Sequence, residues 1–152
     1  MVERFTKSDE IKNKALSLIP HQTGTFSRGA DCFVKGVFPT YIQTAKGSHF
    51  TDVDGNEYLD YLCGLGPITL GYNYKVVNDA IIEQLRQGIL FSLPHPVEVE
   101  CSEKISKIIP DAEMVKFEKS GSNAVTAAVR AARYLTKKNK IAYCGSGGVW
   151  HD

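Results

Sequence analysis

The residues best suited to chemistry form a short polar joint, Ser120 to Asn123, between an apolar run and an alanine-rich run. The first N–H groups of a helix lack intrahelical partners and point outward at the positive end of the helix dipole, where a phosphate group is favoured. Gly121 would let a ligand approach the backbone. Ser120 and Ser122 would add hydroxyl donors, and Ser122 or Asn123 could cap the helix. Ser-Gly-Ser before a helix more often serves only as a cap. The joint alone therefore does not distinguish a phosphate site from a simple helix cap.

Other polar residues favour simpler interpretations. No histidine pairs with a second ligand type at helical spacing, so no metal site is predicted; the four are His21, His49, His95 and His151. The acidic segment from Asp52 to Asp60 resembles a calcium loop but lacks the glutamate at the twelfth position. His151 and Asp152 are adjacent, and adjacent strand residues point to opposite faces, so this pair is predicted to be non-catalytic.

Composition excludes several classes of protein. The chain has 152 residues, 43% hydrophobic and 23% charged, with 18 Lys and Arg against 17 Asp and Glu. This balance gives no basic field for nucleic acid. The N-terminal residues contain no long apolar run, which argues against a signal peptide or a membrane span. The scattered cysteines are typical of buried thiols in a cytoplasmic protein; they are Cys32, Cys63, Cys101 and Cys144.

Periodicity and turn signals predict an α/β chain. Four helices are expected, and they run from about Glu3 to Ile19, Tyr74 to Gln87, Val97 to Ile109 and Ser122 to Lys137. An irregular arm follows the first helix, and a β-hairpin is expected at Asp54-Gly55. Short strands at Glu113–Phe117 and Lys140–Cys144 would flank the last helix as a parallel βαβ crossover.

Each later helix carries a side expected to face inward. On the second helix it consists of Val77, Ala80, Ile81 and Leu85, and on the third of Cys101, Ile105 and Ile108. On the last helix the small residues Ala124, Ala127, Ala128, Ala131 and Ala132 would pack on a sheet, with Thr126, Arg130, Arg133 and Lys137 on the wetter side.

One βαβ unit does not complete a doubly wound sheet, which should continue beyond the second strand. The chain is therefore expected to be the front part of a larger α/β domain. Residues 1–70 would form an N-terminal helix, arm and hairpin region, and residues 71–152 would begin the large domain. An edge strand and one helix face are expected to be left uncovered, causing weak solubility or self-association.

Three segments in order carry a family resemblance: "KGSHFTDVDGNEYLDYLCGLGPITLGYN", "GILFSLPHPVEVECSEKI" and "AEMVKFEKSGSNAVTAAVRAARYLTKKNKIAYCG". From about Thr23 to its end, the chain resembles the N-terminal portion of class III (fold type I) pyridoxal-phosphate-dependent aminotransferases, in the glutamate-1-semialdehyde 2,1-aminomutase-like branch. The resemblance implies the start of a large α/β domain with a mainly parallel sheet. It also implies pyridoxal 5'-phosphate as the cofactor and a homodimer as the assembly.

The resemblance implies roles for matched positions. Ser120, Gly121, Ser122 and Asn123 match the cofactor-phosphate motif. Gly64, Leu65 and Gly66 match a segment on the substrate side of the pocket. Phe91 and Ser92 match a loop that approaches the cofactor of the other subunit. The full enzyme would move an amino group between an amino donor and a carbonyl compound, or within one molecule.

The sequence also departs from the family pattern. Ser146, Gly147 and Gly148 stand where the family usually has Tyr-His-Gly, and a serine cannot stack on the cofactor ring. Arg28 is the nearest candidate for a substrate-carboxylate arginine and is not assigned. No residue matches the family's cofactor-binding lysine, so no catalytic residue is assigned and the chain alone is expected to be inactive. The alternative is a truncated or degenerate non-catalytic relative that dimerises or binds a phosphate-bearing ligand.

Overall fold

The computed structural model describes residues 4–142, and the chain divides into two compact units, Met1–Ile89 and Leu90–Asp152. The first unit contains a helix, an arm of short turns, a small sheet and a second helix, and the second unit contains two further helices. The boundary expected between residues 70 and 71, which would separate the N-terminal region from the start of the large domain, stays a prediction.

A three-stranded antiparallel sheet lies in the first unit, with the strands β1 (Ile42–Lys46), β2 (His49–Asp52) and β3 (Glu57–Leu59) side by side in chain order. Phe50 of β2 lies opposite Tyr58 of β3, and the two rings stack with their centroids 5.1 Å apart. Such cross-strand aromatic pairs stabilise a sheet. The hairpin expected at Asp54-Gly55 is confirmed as the connection between β2 and β3.

The tip of this hairpin caps α1 (Thr6–Leu16), the first predicted helix. Phe5 occupies the N-cap position, and its apolar side chain cannot accept a hydrogen bond. The Asp54 carboxylate instead accepts hydrogen bonds from the N–H groups of Lys7, at 2.7 Å, and Ser8, at 3.1 Å. It also accepts one from the Ser8 hydroxyl at 2.6 Å. Because the first N–H groups of a helix need acceptors, these bonds attach α1 to the hairpin.

The arm expected after α1 is irregular, as predicted, with short 3-10 turns at Pro20–Gln22, Phe26–Arg28 and Ala30–Cys32. The other three predicted helices are also confirmed, as α2 (Lys75–Gln87), α3 (Pro96–Ile108) and α4 (Gly121–Thr136). Gly88 ends α2 with a φ of 110°, which a glycine adopts without strain. No helix within residues 4–142 is both long and apolar enough to cross a bilayer.

The predicted strand at Glu113–Phe117 is wrong, because these residues form turns and irregular backbone. Residues 140–142 of the second predicted strand are also irregular, and Tyr143 and Cys144 lie outside the described residues. A strand needs a neighbour to pair its N–H and C=O groups, and the sheet found in residues 4–142 contains β1, β2 and β3 alone. The βαβ crossover is therefore not formed within the described part of the chain.

The predicted inward faces of α2 and α3 are mostly exposed within the described chain. On α2 the exposed fractions are 44% for Val77, 53% for Ile81 and 52% for Leu85. On α3 Ile105 is half-buried, whereas Ile108 is exposed. The expectation of an uncovered helix face is confirmed, and the inward orientation of these residues stays a prediction for a complete domain.

The packed side of α4 agrees with the prediction only in part, since Ala127 and Ala132 are half-buried and Arg130 and Lys137 are exposed, as expected. Val129 is buried and Thr126 and Arg133 are half-buried, although the latter two were expected on the wetter side. The small residues Ala124 and Ala128 are exposed. The Arg133 Nε donates to the carbonyl of Asn139 at 3.1 Å, which holds the chain after α4 against this side of the helix.

The exposed area agrees with these uncovered faces. The chain exposes 12786 Å². Separately folded domains of the sizes of the two units would together expose only about 9,000 Å². Within residues 4–142 the exposed large apolar side chains include Val77, Ile81, Leu85 and Ile108.

Candidate functional site

Ser120 is the N-cap of α4. Its backbone is extended, with φ −149° and ψ 164°, and its Oγ accepts a hydrogen bond from the N–H of Asn123 at 3.3 Å. The same hydroxyl donates to Oδ1 of Asn123, so the two side chains hold each other at the start of the helix. The prediction that Ser122 or Asn123 caps the helix is therefore wrong, since α4 begins at Gly121, one residue before the expected start.

This cap leaves a defined set of donors for a ligand. The N–H of Asn123 is bonded to Ser120, whereas Gly121 and Ser122 are first-turn residues whose N–H groups have no intrahelical acceptor. A Cβ built on Gly121 would meet no atom within 4 Å, so its backbone is open to an approaching group. The first turn carries no acidic residue that would repel an anion. These features fit a phosphate group, with the N–H groups of Gly121 and Ser122 as donors.

The loop predicted to line the substrate side belongs to a closed segment, residues 60–72. Its two ends meet at the Gly47-Ser48 turn. The Asp60 N–H donates to the carbonyl of Ser48 at 2.8 Å, and Gly47 and Tyr72 exchange two backbone hydrogen bonds of 2.9 and 2.8 Å. Their side chains close the segment, because the Tyr72 hydroxyl donates to Oδ2 of Asp60 at 2.8 Å.

Gly64, Leu65 and Gly66 lie at the left-handed apex of this segment. Four consecutive residues from Cys63 to Gly66 have positive φ, with values of 49°, 61°, 69° and 109°. Such a conformation is costly for the non-glycine residues Cys63 and Leu65, and it persists only when surrounding contacts impose it. The Asp60 Oδ1 accepts hydrogen bonds from the N–H groups of Leu62, at 2.7 Å, and Cys63, at 3.3 Å.

The same hydrogen bonds set the electrostatics of the Asp60–Tyr72 pair. Burial by itself raises the pKa of Asp60, but hydrogen bonds from the Tyr72 hydroxyl and from the N–H groups of Leu62 and Cys63 outweigh it. The pKa of Asp60 therefore lies below its ordinary value. Burial and the adjacent Asp60 carboxylate raise the pKa of Tyr72 to about 12. Around neutral pH the carboxylate thus accepts while the phenol keeps its proton.

Phe91 and Ser92 precede α3 in the second unit, and Phe91 packs on the start of that helix. Its ring stacks on the His95 imidazole with the centroids 5.0 Å apart and 11° between the planes. The His95 Nδ1 in turn accepts a hydrogen bond from the N–H of Val97 at 3.3 Å and so caps α3. Phe91 is 48% exposed, which leaves one side of its ring available for contact.

The acidic hairpin that superficially resembled a calcium loop uses its carboxylates internally. Asp52 is fully buried, and its Oδ1 accepts hydrogen bonds from the N–H groups of Asp54 at 3.0 Å and Asn56 at 2.8 Å. Its Oδ2 accepts from the Tyr58 hydroxyl at 3.0 Å. These donors occupy the oxygens that would otherwise bind a cation, which supports the interpretation of this segment as a hairpin.

The predicted site residues therefore fall into two groups. Gly64, Leu65 and Gly66 lie in the first unit, and the other two segments, at residues 91–92 and 120–123, lie in the second. Sequence reasoning missed Asp60 and Tyr72. The signal available was a polar pair twelve positions apart bracketing a glycine-rich run, which is typical of a closed loop. The noted departures at Ser146, Gly147 and Gly148, and the pair His151 and Asp152, lie outside the described residues.

Comparisons with known proteins agree with the motif order. A family model described as aminotransferase class-III matches residues 34–147. Over 150 residues the chain is 39% identical to a 3-aminobutyryl-CoA aminotransferase of Cloacimonas acidaminovorans, covering 98% of this chain and 36% of that protein. It is also 39% identical to glutamate-1-semialdehyde 2,1-aminomutase 2 of Lachnoclostridium phytofermentans, covering 90% of this chain and 32% of that protein.

A solved structure described as a transaminase with PLP bound superposes with a TM-score of 0.82 at 31% identity, over 94% of this chain and 34% of that one. The agreement confirms the expected fold type and shows that the chain spans about a third of the length of the relatives it matches. The chain belongs to the class-III aminotransferase family.

Proposed function

We propose that this chain contributes the cofactor-phosphate cup, residues Ser120 to Asn123, to a pyridoxal-phosphate-dependent enzyme that transfers an amino group. The whole protein's reaction would move an amino group between a small-molecule amino donor and a carbonyl compound, or within one molecule. The observation that carries the proposal is the start of α4, where Ser120 caps the helix and the donors of Gly121 and Ser122 are open. The cofactor, when bound, supplies the electron-withdrawing ring that makes such transfer feasible.

The residues of this chain would bind and orient the cofactor. Gly121 and Ser122 would donate backbone N–H groups to its phosphate, and the Ser122 hydroxyl would add a third donor. Ser120 would fix the first turn, while the side-chain amide of Asn123 would reach the rim of the cup. The positive end of the α4 dipole would favour the phosphate charge.

The remaining predicted residues would serve the substrate and the assembly. Gly64, Leu65 and Gly66 would form part of the wall facing the substrate. Phe91 and Ser92 would approach the cofactor of a second subunit in a homodimer. The buried thiols expected from the sequence are not found among the described cysteines, because Cys32 and Cys101 are exposed and Cys63 is half-buried. The proposed cytoplasmic location therefore rests on the scattered spacing of the cysteines, which is not that of a disulfide framework.

The test is phosphate-dependent binding to the purified chain. Isothermal titration calorimetry should detect pyridoxamine 5'-phosphate, an analogue without the aldehyde that would react with surface lysines. Pyridoxamine without the phosphate should bind at least about tenfold more weakly, since charge-assisted bonds to the phosphate would be lost. Equal affinity for the two compounds would exclude a phosphate cup.

Substitutions locate the binding on the chain. Gly121→Asp places a carboxylate at the cup and should abolish phosphate-dependent binding by like-charge repulsion. Thr136→Ala is the matched control, because the Thr136 hydroxyl bonds to the Ala132 carbonyl at the other end of the same helix. It should leave binding unchanged. Unchanged binding in Gly121→Asp would move the site elsewhere and refute the assignment.

The same experiment addresses the non-catalytic alternative. A degenerate relative that binds phosphate-bearing ligands would take inorganic phosphate and the cofactor analogue with similar affinity. A chain shaped for the cofactor should favour the analogue, because the ring adds contacts that inorganic phosphate lacks. Similar affinities would therefore support the alternative function.

A further inference from the structure

We propose that Asp60 is a positioning residue that, together with Tyr72, holds the Cys63–Gly66 apex in its left-handed conformation. The proposal goes beyond the family assignment and identifies what shapes the loop. It rests on the proposed function in one respect, because only that function makes the apex a part of the wall that faces the substrate.

The first step is the closure of the segment. Its ends are tied to the Gly47-Ser48 turn by three backbone hydrogen bonds, and the side chains of Asp60 and Tyr72 join across the gap at 2.8 Å. Gly71 makes this approach possible, because a Cβ there would lie 3.0 Å from the carbonyl oxygen of Gly47. The segment is thus a compact closed loop rather than a free connection.

The second step is that the two oxygens of the Asp60 carboxylate bind different parts of the loop. One oxygen accepts the N–H groups of Leu62 and Cys63, and the other accepts the Tyr72 hydroxyl. Asp60 therefore links the closure of the loop to the backbone just before the apex. Losing the Tyr72 bond would free the carboxylate to rotate away from Leu62 and Cys63.

The third step is the strain at the apex. Cys63 and Leu65 have positive φ without being glycine, and isolated residues of this kind relax toward ordinary backbone regions. Backbone hydrogen bonds from Leu65 to Leu62, at 2.9 Å, and from Gly66 to Cys63, at 3.0 Å, are compatible with the left-handed turn. Such local bonds depend on the direction in which the chain enters the turn, which the carboxylate fixes.

Cys63 reports on this conformation because its half-buried thiol lies within the apex. We expect the rate of alkylation by N-ethylmaleimide, followed for each cysteine by peptide mass spectrometry, to rise selectively at Cys63 in the variants. Asp60→Ala should raise it about tenfold or more, and Tyr72→Phe about threefold to tenfold, through more frequent opening of the loop. Cys101, exposed and in the other unit, should not change.

Two further variants separate positioning from other effects. Asp60→Asn removes the charge but keeps an oxygen for Leu62 and Cys63, so it should raise the Cys63 rate less than Asp60→Ala does. Tyr61→Phe is the matched control, since Tyr61 is adjacent and 88% exposed, and it should react as the unaltered chain does. Equal rates in the Asn and Ala variants would indicate a charge effect on the thiol and overturn the proposal.

A spectroscopic reading tests the pair directly. Absorbance of ionised tyrosine near 295 nm, compared between the unaltered chain and Tyr72→Phe, should assign a pKa of about 12 to Tyr72, separately from the raised pKa of Tyr58. In Asp60→Asn the pKa of Tyr72 should fall toward the ordinary value of 10.0. An unchanged Cys63 rate in both Asp60→Ala and Tyr72→Phe, or an equal rise at every cysteine with a lowered melting temperature, would refute the positioning role. None of these readings requires bound phosphate, so the failure of the cup at α4 would leave them unaffected.

Discussion

At the residue scale, three carboxylates of the segment "DVDGNEYLD" organise the first unit. Asp52 holds the hairpin turn, Asp54 caps α1 and Asp60 holds the loop that follows β3. Each accepts backbone N–H groups that would otherwise lack partners, and bonds to a charged acceptor are stronger than neutral ones. The acidic residues therefore act as structural acceptors for three different elements.

Removing the non-local cap should destabilise the first unit. Asp54→Ala leaves the N–H groups of Lys7 and Ser8 without this acceptor, so the free energy of unfolding should fall by about 1–3 kcal/mol. Urea denaturation followed by circular dichroism measures the change. Asp31→Ala, at an exposed position in the arm, is the control and should lie within about 0.5 kcal/mol of the unaltered chain. Equal effects of the two substitutions would contradict the capping role.

Acid should destabilise the same unit through Asp54 and Asp60. Burial alone would raise the pKa of Asp54, but hydrogen bonds from Ser8 and Lys7 outweigh it, and the pKa lies below the ordinary value of 3.8. The pKa of Asp60 is also lowered. As the pH falls below about 4, the unfolded chain takes up these protons more readily than the folded chain, so stability decreases.

Unfolding by urea between about pH 2.5 and pH 6 measures this dependence. The free energy of unfolding should decline with falling pH in the unaltered chain, and the decline should be shallower in the double variant Asp54→Asn/Asp60→Asn. Identical slopes for the two chains would show that other groups are responsible.

At the element scale, the helices could be predicted because their periodicity and end signals are local. Gly88 marks a real boundary, as the sequence indicated, and α3 begins at Pro96, one residue before the expected Val97. The strand at Glu113–Phe117 could not be predicted in the same way, because a strand exists only with a partner to pair with. The cap at Ser120 was missed because Ser120, Ser122 and Asn123 stand close together in the sequence and can all cap a helix. Only the backbone geometry distinguishes them.

The candidate site was only partly predictable for the same reason. The order of motifs led to the segments at residues 64–66, 91–92 and 120–123, and their placement at a loop apex, before α3 and at the start of α4 is compatible with the expected roles. Asp60 and Tyr72 act across twelve positions, and Asp54 acts on a helix 46 positions away. Such contacts depend on the fold, and the polar pair that brackets the glycine-rich run is only an indirect signal of the contact between Asp60 and Tyr72.

The closed loop makes Gly71 intolerant of a side chain. Its φ is 81° and a Cβ would lie 3.0 Å from a backbone oxygen that has little freedom to move. Gly71→Ala should therefore lower the free energy of unfolding by about 1–3 kcal/mol, measured by thermal or urea denaturation. Gly24→Ala should be nearly neutral, because no atom lies within 4 Å of the added Cβ and its φ is not positive. A neutral Gly71→Ala would contradict the close contact with Gly47.

At the scale of the whole molecule, many large apolar side chains of residues 4–142 are exposed. Val77, Ile81 and Leu85 form an uncovered stripe on α2, which predicts self-association of the isolated chain. The relatives are about three times as long, and we propose that other parts of such a protein cover these faces in the family's complete fold.

A charge on this stripe should favour the monomer. In sedimentation velocity experiments at several concentrations, Ile81→Lys should increase the monomer fraction, because a desolvated lysine is costly in an apolar contact. Glu83→Lys changes charge on the same helix without entering the stripe and should have a smaller effect. Equal behaviour of both variants and the unaltered chain would argue against association through α2.

The most direct test of the central claim is the mapping of phosphate binding by amide chemical shifts in ¹⁵N-labelled chain. Titration with pyridoxamine 5'-phosphate should shift the amide signals of Gly121 and Ser122 most strongly, and pyridoxamine without phosphate should shift them little. Shifts centred on another segment, or equal shifts with both compounds, would contradict the assignment of the start of α4 as the cofactor-phosphate cup.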